Sequence, residues 1–391
     1  MMEKSEIEKK ENSVEKEGRP SRNGKLKFPR VCIAVYICAG ISAAVYTAAC
    51  LSESFADFFC RYIASAVRAV LAFLTSWIPF SLGEAVLILL PVLAGFFIYY
   101  SNKISGGSWK DVFVSCGAAF SAVALVWTLF VFTLGTGYRG SSVDRKLGLE
   151  RRDCSAEELC ATAKILKDII NGCEDDVYAR EGGFSVMPYD YGRMSDKLVD
   201  AYRDLSGKYG FIQKLDSRVK TVMLSEPWTY THITGVYTFF TGESNLNVNM
   251  PDYTLPFTAA HEFAHQRGVA REDEANFIAY IACINSDDPY IKYSGALSMY
   301  EYVTNALYSA DYDLFIEARS GLCQTALNDM YSYNRFFEKY RTNTVAKVSG
   351  KVNDTYLKSQ GQAGSVSYGL VVDLAVAYHR PDFQVPAGVD N

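Results

Sequence analysis

The sequence predicts an α-helical membrane region followed by a mainly helical α+β domain that contains a small sheet. Hydrophobic residues make up 49% and aromatic residues 14% of its 391 positions, a composition that indicates membrane segments. Three long uncharged runs precede residue 140, and the remainder mixes charged and apolar residues mostly at helical spacing. The chain therefore divides into a tail (1–30), a membrane region (31–138) and a globular domain (139–391).

The tail is highly charged and ends in five cations with no acid among them. These cations are Arg19, Arg22, Lys25, Lys27 and Arg30. A charged segment nearly free of aromatic residues is predicted to be disordered. The positive-inside rule places it in the cytoplasm.

The three uncharged runs are Val31 to Leu51, Ala85 to Asn102 and Val112 to Tyr138. Each is close to the ~20 residues that one bilayer crossing requires. Because Ala48 and Ala49 end the first run, a cleaved signal peptide is the alternative there. The long charged tail ahead of it favours an anchor.

The segment between the first two runs, Ser52 to Gly83, mixes aromatic, aliphatic and charged residues at roughly helical spacing. This pattern predicts an amphipathic helix in the membrane interface, and a re-entrant hairpin involving Ala69 to Pro79 is the alternative. With three spans, the loop carrying Lys103 and Lys110 returns to the cytoplasm and the domain lies outside. An even number of spans would instead place the domain in the cytoplasm.

The net charge argues against a nucleic-acid partner, and the cysteine content argues against a disulfide framework. A net charge of −5, with no basic block in the C-terminal two thirds, gives no electrostatic reason to expect a nucleic-acid partner. The domain has an odd number of cysteines and no CxxC spacing, which favours buried free thiols over a disulfide among the first three. These cysteines are Cys154, Cys160, Cys173, Cys283 and Cys323.

Periodicity predicts the elements of the domain. The predicted helices are Ser155 to Ile170, Met194 to Tyr209, Ser298 to Ser309, Gly321 to Tyr340 and Val366 to Tyr378. Val219 to Leu224 and Ile233 to Phe240 are rich in β-branched and aromatic residues, as in strands. Asn245 to Asn249 alternates apolar and polar residues, which predicts a half-exposed edge strand.

A further helix carries the motif His261-Glu262-Phe263-Ala264-His265. Two histidines four residues apart project from one helical face and can bind one zinc ion. Glu262 is turned aside by about 100°, which suits a base acting on water better than a metal ligand. We expect Thr254 or Thr258 to cap this helix and Gly268 to end it.

A catalytic zinc site needs a third protein ligand, and the segment from Arg271 to Asn276 offers several. The stretch HEFAHQRG resembles the zincin metallopeptidases. The metzincin subfamily would have its third histidine at Arg271, and arginine cannot ligate a cation. The following residues, EDEAN, instead resemble the ExEAD segment of membrane-embedded gluzincins of the CAAX-prenyl-protease type.

That resemblance implies that Glu272 is the third zinc ligand. Asn276 stands where those enzymes have an aspartate that supports a ligand, and it can orient a ligand without adding charge. Glu274 is the alternative ligand. The stretch from Gly235 to Tyr293, together with the membrane region, also resembles an uncharacterised family of bacterial multi-span membrane proteins that carry this motif.

We therefore expect a membrane-anchored, zinc-dependent metallopeptidase with a zincin-like domain. Zinc would be held by His261, His265 and Glu272, and Glu262 would accept a proton from water and pass it to the leaving amine. The expected partners are the lipid bilayer and a peptide or protein substrate near the membrane, which an edge strand at Asn245 to Asn249 could bind by strand addition. The alternative is a non-enzymatic membrane protein with a structural or sensory metal site.

A peptidase also needs a group that stabilises the oxyanion. Four residues qualify by type, and their spacing singles out none of them. They are Tyr293, Tyr300, His232 and His379.

Overall fold

A computed structural model describes residues 27–104, 108–180, 183–341, 343–364 and 370–381. The predicted disordered tail lies almost wholly outside the described residues, as does the start of the helix predicted from Val366. The described chain is mostly helical and has one small sheet, as the sequence predicts.

The membrane region begins with α1 (Arg30–Leu51) and a helical segment made of α2 (Glu53–Phe58), a π-helical turn (Phe59–Ala64) and α3 (Ser65–Ser76); α4 (Leu82–Ile104) and α5 (Trp109–Thr133) follow. The helices of the domain are α6 (Val143–Leu147), α7 (Ala156–Asn171), α8 (Tyr191–Lys208), α9 (Ser225–Thr229), α10 (Thr254–Gln266), α11 (Glu272–Ile284), α12 (Pro289–Ala310), α13 (Tyr312–Arg319), α14 (Gln324–Glu338), α15 (Thr344–Ser359) and α16 (Val371–His379). The strands are β1 (Lys220–Thr221), β2 (Gly235–Thr238) and β3 (Glu243–Leu246).

Four helices in the described residues are long and apolar enough to cross a membrane: Arg30–Leu51, Glu53–Ser76, Leu82–Lys103 and Trp109–Thr133. Three of them correspond to the predicted spans. The last ends at Thr133, five residues before the predicted end, where the chain tightens into a 3₁₀ turn with glycines at two of its five positions. The fourth falls in the segment that was predicted to lie in the interface.

The chain forms two compact units. The smaller unit comprises residues up to Ala39 together with Leu89–Leu125. Within it, the Tyr36 hydroxyl donates to the Gly117 carbonyl at 2.8 Å, and Ser121 Oγ lies 3.4 Å from Cys32 Sγ. Polar contacts of this kind are common between apolar membrane helices.

The larger unit comprises Gly40–Ile88 and Val126–Asn391. Its hydrophobic core lies among α7, α8, α10, α11, α12 and α16. Small residues allow α10 and α11 to pack closely, and Ala260, Ala264, Ala275 and Ala279 are all fully buried. The two helices that carry the zinc motif and its downstream acids are therefore at the centre of the core.

The segment Glu53–Ser76 lies against the domain along its length. Near its start, Asp57 accepts the Ser141 N–H at 3.1 Å. In its middle, Arg68 Nε donates to Gln213 Oε1 at 3.0 Å. At its end, Lys220 Nζ donates to the Thr75 carbonyl at 3.2 Å. These contacts link both ends of the segment to the same domain.

The sheet has the order β1-β3-β2, with β1 parallel and β2 antiparallel to β3. Two strands therefore flank β3. The prediction that Asn245 to Asn249 forms an edge strand is wrong, because Asn245 pairs with both Lys220 and Val236. The longer of the two edges is β2.

Other predictions differ from the structure in extent. The helix predicted from Ser298 begins nine residues earlier as α12, and α11, α13 and α15 lie in segments for which no helix was predicted.

Tyr253 occupies the N-cap position of α10 and Thr254 is its first residue, so the predicted threonine cap is wrong. All ten cysteines are free thiols, as favoured from their number and spacing.

Gly242 should be essential for docking the segment Glu53–Ser76. It has a φ of +74°, and a Cβ there would lie 2.6 Å from the Leu71 Cβ. We expect Gly242→Ala to reduce the free energy of unfolding by about 1–3 kcal/mol, because it combines backbone strain with a clash. Thermal unfolding of the detergent-solubilised chain measures this effect.

Gly207→Ala is the matched control. Gly207 lies in α8, and a Cβ there would meet nothing within 4 Å. This change should leave stability unaltered or raise it by about 0.5–1 kcal/mol. Equal losses in the two variants would contradict the docking role of Gly242.

Candidate metal centre

His261 and His265 lie one turn apart on α10 and point in the same direction. Their Nε2 atoms are 3.0 Å apart and the planes of the two rings are nearly perpendicular. His265 is buried and His261 is partly exposed. The i, i+4 spacing predicts this convergence, since residues four apart share one face of a helix.

The end of α10 fixes the orientation of the His265 ring. Gly268 has a φ of +101°. The N–H of Gly268 bonds to the His265 carbonyl and the N–H of Val269 to the Ala264 carbonyl, both at 3.0 Å, which together form a Schellman motif. That turn places the Val269 carbonyl 2.8 Å from His265 Nδ1. With its proton on Nδ1, a neutral His265 presents a bare Nε2 to the site.

Glu272 reaches the same point from the first turn of α11. Its Oε2 lies 3.2 Å from His261 Nε2 and 3.4 Å from His265 Nε2. The backbone N–H of Glu272 donates to Gln362 Oε1 at 3.2 Å. Gln362, which the sequence did not indicate, thus ties the distant segment after α15 to the helix that carries the carboxylate.

These three side chains fit a divalent metal ion. They form the one metal-binding group of three or more histidines, cysteines or acids found among the described residues. Tetrahedral coordination at 2.0–2.1 Å separates two ligand atoms by roughly 3.3 Å, and the observed separations are 3.0, 3.2 and 3.4 Å. Two imidazoles and one carboxylate are the donor set of catalytic zinc sites such as those of thermolysin and carboxypeptidase A.

The electrostatics favour a cation at this point. Burial opposes ionisation of Glu272, but the two neighbouring imidazoles outweigh it and hold the pKa of that carboxyl well below its usual range. Burial likewise opposes protonation of His265, and the charge of Glu272 outweighs it and raises the pKa of His265. The site thus attracts a positive charge, and metal binding would release the proton that supplies it.

Glu262 is buried. Its side chain lies beside the two histidines and against β2, an edge strand of the described sheet. A Cβ on Gly235 would lie 2.6 Å from Glu262 Oε1, so this position has room for the carboxylate only because it is glycine. The N–H of Tyr237 donates to the same carboxylate. From the adjacent strand, Ser244 Oγ donates to the Glu262 carbonyl at 3.0 Å.

This environment suits proton transfer by Glu262. Burial raises the pKa of the Glu262 carboxyl, whereas His261, His265 and the Tyr237 N–H favour its charged form. The charge of Glu272 also raises that pKa. Desolvation makes a carboxylate a stronger base, and a buried carboxylate beside candidate metal ligands is a candidate for proton transfer.

Glu274 lies outside the metal-binding group. It accepts the Val143 N–H at 3.0 Å and an Arg271 N–H at 2.8 Å, which anchors the start of the domain to α11. The Asn276 amide hydrogen-bonds to the Tyr302 hydroxyl. The structure thus brings Glu272 to the histidines and gives Glu274 a role in packing.

The four residues that were predicted as oxyanion stabilisers are buried in the core or hydrogen-bonded to other residues of the domain. Tyr293 donates to Asp329 at 2.7 Å inside the core, where Tyr300 is also fully buried. His232 Nε2 bonds to the Tyr340 carbonyl at 2.8 Å, and His379 Nε2 bonds to the Tyr280 hydroxyl at 2.6 Å. Burial lowers the pKa of His379 to about 4.

Two other tyrosines lie near the metal ligands. Burial and nearby carboxylates, Glu272 among them, raise the pKa of Tyr302 to about 12. Burial and Glu272 do the same for Tyr356, whose hydroxyl lies 3.0 Å from that of Tyr138. Both side chains are partly exposed. With 27 tyrosines in the chain, composition alone could not distinguish these two.

Residues 59–376 match a known family, described as a protein of unknown function (DUF3810). The chain belongs to the DUF3810 family. The match begins just after α1 and α2, and it includes α3, α4 and α5 as well as the motif helix α10. No curated protein and no solved structure matches the chain.

Metal content should distinguish the two acidic residues that the sequence offered as ligands. We expect the purified full-length chain to hold one zinc ion, and His265→Ala and Glu272→Gln to lose it, because each removes one of three ligands. Glu274→Gln should keep it, because glutamine can still accept the Val143 N–H. Elemental analysis after dialysis measures zinc per chain, and zinc retained by Glu272→Gln would refute this ligand set.

Proposed function

We propose that the protein is a membrane-anchored, zinc-dependent metallopeptidase with a zincin-like domain. The convergence of His261, His265 and Glu272 beside a buried glutamate carries this proposal. A purely structural zinc site is usually closed by four protein ligands. Here three ligands are assembled and a general base lies next to them, which is the arrangement of a hydrolytic site.

In the proposed reaction, Glu262 accepts a proton from the attacking water and delivers it to the amine that leaves. Bound zinc would supply a Lewis acid that lowers the pKa of water and polarises the scissile carbonyl. The Tyr237 N–H holds the Glu262 carboxylate in one place, and Gly235 leaves room for it because glycine has no side chain. Tyr302 and Tyr356 are the hydroxyl donors that we propose for stabilising the oxyanion.

The free edge of β2 is the proposed binding site for an extended substrate. In an antiparallel ladder, alternate residues direct their N–H and C=O groups to opposite sides. The N–H of Asn247, just after β3, donates to the carbonyl of Thr234, just before β2, so Gly235 and Tyr237 direct their backbone groups outward. The Glu262 carboxylate already occupies the Tyr237 N–H, and a peptide paired at Gly235 would run directly past it.

We further propose that three helices cross the membrane and that the domain lies outside the cytoplasm. Both ends of Glu53–Ser76 contact the domain, which favours an interfacial helix over a fourth span. The remaining helices α1, α4 and α5 give an odd number of crossings. A tail with five cations at its end favours a cytoplasmic N-terminus.

Glu262→Gln tests the enzymatic proposal. It should lower peptide hydrolysis by about 10²–10⁴-fold, because the general base is lost, while zinc content stays unchanged. Quantitative proteomics of cells expressing the wild type or this variant would identify peptides whose cleavage depends on Glu262, and synthetic versions of them then serve as substrates. If Glu262→Gln abolished the cellular role of the protein without changing the cleavage of any peptide, the result would favour a structural or sensory metal site.

A second variant tests whether Glu262 must occupy its observed position. Gly235→Ala places a methyl group where Glu262 lies and should reduce hydrolysis while leaving zinc bound, since Gly235 is not a ligand. Gly207→Ala again serves as the control. Full activity in Gly235→Ala would mean that the carboxylate works from another position.

Labelling with a membrane-impermeant maleimide tests sidedness. A cysteine introduced at Tyr331, whose side chain is 68% exposed on α14, should react from outside intact cells above the level of the unaltered chain. A cysteine introduced at Ser13 in the tail should react only after the cells are opened. The reverse pattern would place the domain in the cytoplasm.

A further inference from the structure

Helix α15 exposes an apolar stripe that the described part of its domain leaves uncovered. Val345, Val348 and Val352 are 54%, 58% and 65% exposed. Leu357 is the one residue of this helix that is buried among those described. A helix held in the hydrophobic core would bury its apolar face, so this stripe is suited to another apolar environment.

The stripe has a charged border. The three valines follow i, i+3 and i+7 spacing and share one helical face, and Tyr356 continues that face by one further turn. Lys347, Lys351 and Lys358 lie together on the adjoining side and are exposed. An apolar stripe beside a row of lysines is typical of helices that lie in a membrane interface.

The C-terminal end of α15 contacts the ends of two membrane helices. The Tyr356 ring packs 6.3 Å from that of Phe130, in the last turn of α5. Immediately after the helix, Gln360 accepts a hydrogen bond from the Tyr46 hydroxyl of α1 at 3.2 Å. Tyr46 and Trp127 pack edge to face at 5.4 Å, and such aromatic residues mark the boundary between acyl chains and headgroups.

We propose that α15 lies in the surface of the lipid bilayer. Val345, Val348 and Val352 contact acyl chains, and the lysines lie among anionic headgroup phosphates. Tyr356, on the same face, already packs against a membrane helix, so the stripe faces the side on which the bilayer begins. This inference rests on exposure, helical spacing and contacts, and it is independent of the metal chemistry.

The charge of the lysines and the contact of α15 with a membrane helix indicate that lipid covers the stripe. A soluble peptide would need only a local groove, whereas this stripe leads through Tyr356 to the ring of Phe130 at the end of a membrane helix. The lysines are complementary to phosphate groups, which anionic lipids present at high density. A second copy of the chain, or a peptide, would yield protein adducts in place of lipid adducts in the test below.

Site-specific photocrosslinking tests the proposal on the full-length protein. Benzoylphenylalanine replaces Val348 or Val352 in one pair of variants and Lys351 in the control, and each is reconstituted in vesicles of phosphatidylethanolamine and phosphatidylglycerol. Val92, 65% exposed on α4, is the positive control within a membrane span. After irradiation, mass spectrometry measures the fraction of each site joined to phospholipid.

We expect phospholipid adducts at 348 and 352 to approach the level at 92 and to exceed the level at 351 several-fold. Replacing phosphatidylglycerol with phosphatidylcholine should reduce them, because the lysines lose their partners. Equal, low adduct levels at 348, 352 and 351, with normal labelling at 92, would overturn the proposal. Crosslinks from 348 to another protein chain would also overturn it and would identify a protein interface.

Discussion

The close approach of two imidazoles and one carboxylate inside the core is the constraint on which the candidate site depends. Three lone-pair donors within 3.4 Å of one another repel each other unless a positive charge lies between them. The backbone keeps them together in two ways. One helical turn separates the histidines, and the Schellman turn at Gly268 directs α11 back towards them. Contacts within the fold thus account for the convergence of the three side chains.

The membrane region is joined to this site by a small aromatic cluster. Phe130, Val131 and Tyr138, at and after the end of α5, pack with Tyr237 of β2 and with Ala270 between α10 and α11. Tyr237 donates its N–H to Glu262, and Ala270 lies two residues before Glu272. The end of α5 thus packs against neighbours of both the proposed base and the proposed ligand.

The local part of the site could be predicted from sequence, and the long-range part could not. Helical periodicity predicts the relation of His261 to His265. The choice of Glu272 over Glu274 came from the resemblance of the residues after Gly268 to a known family. In contrast, 90 residues separate Glu272 from Gln362, and Gly235 meets Glu262 only because β2 lies at the sheet edge. Alternation at Asn245 to Asn249 reports which side chains share a face, and it carries no information on how many strands flank that segment.

Hydropathy has a similar limit at Glu53–Ser76. Its average composition is that of a span, because averaging over a window conceals where the charges lie. Asp57 faces Ser141 and Arg68 faces Gln213, both in the domain, and Arg68 also donates to the Thr133 carbonyl at the end of α5. Phe73 and Trp77 remain exposed. A helix with polar contacts on one face and exposed aromatic residues on the other fits the boundary between protein and lipid better than the interior of a bilayer. Helix α15 likewise exposes apolar side chains, here valines. In our proposal, two separate helices therefore hold the domain, and with it the candidate metal centre, at the membrane surface.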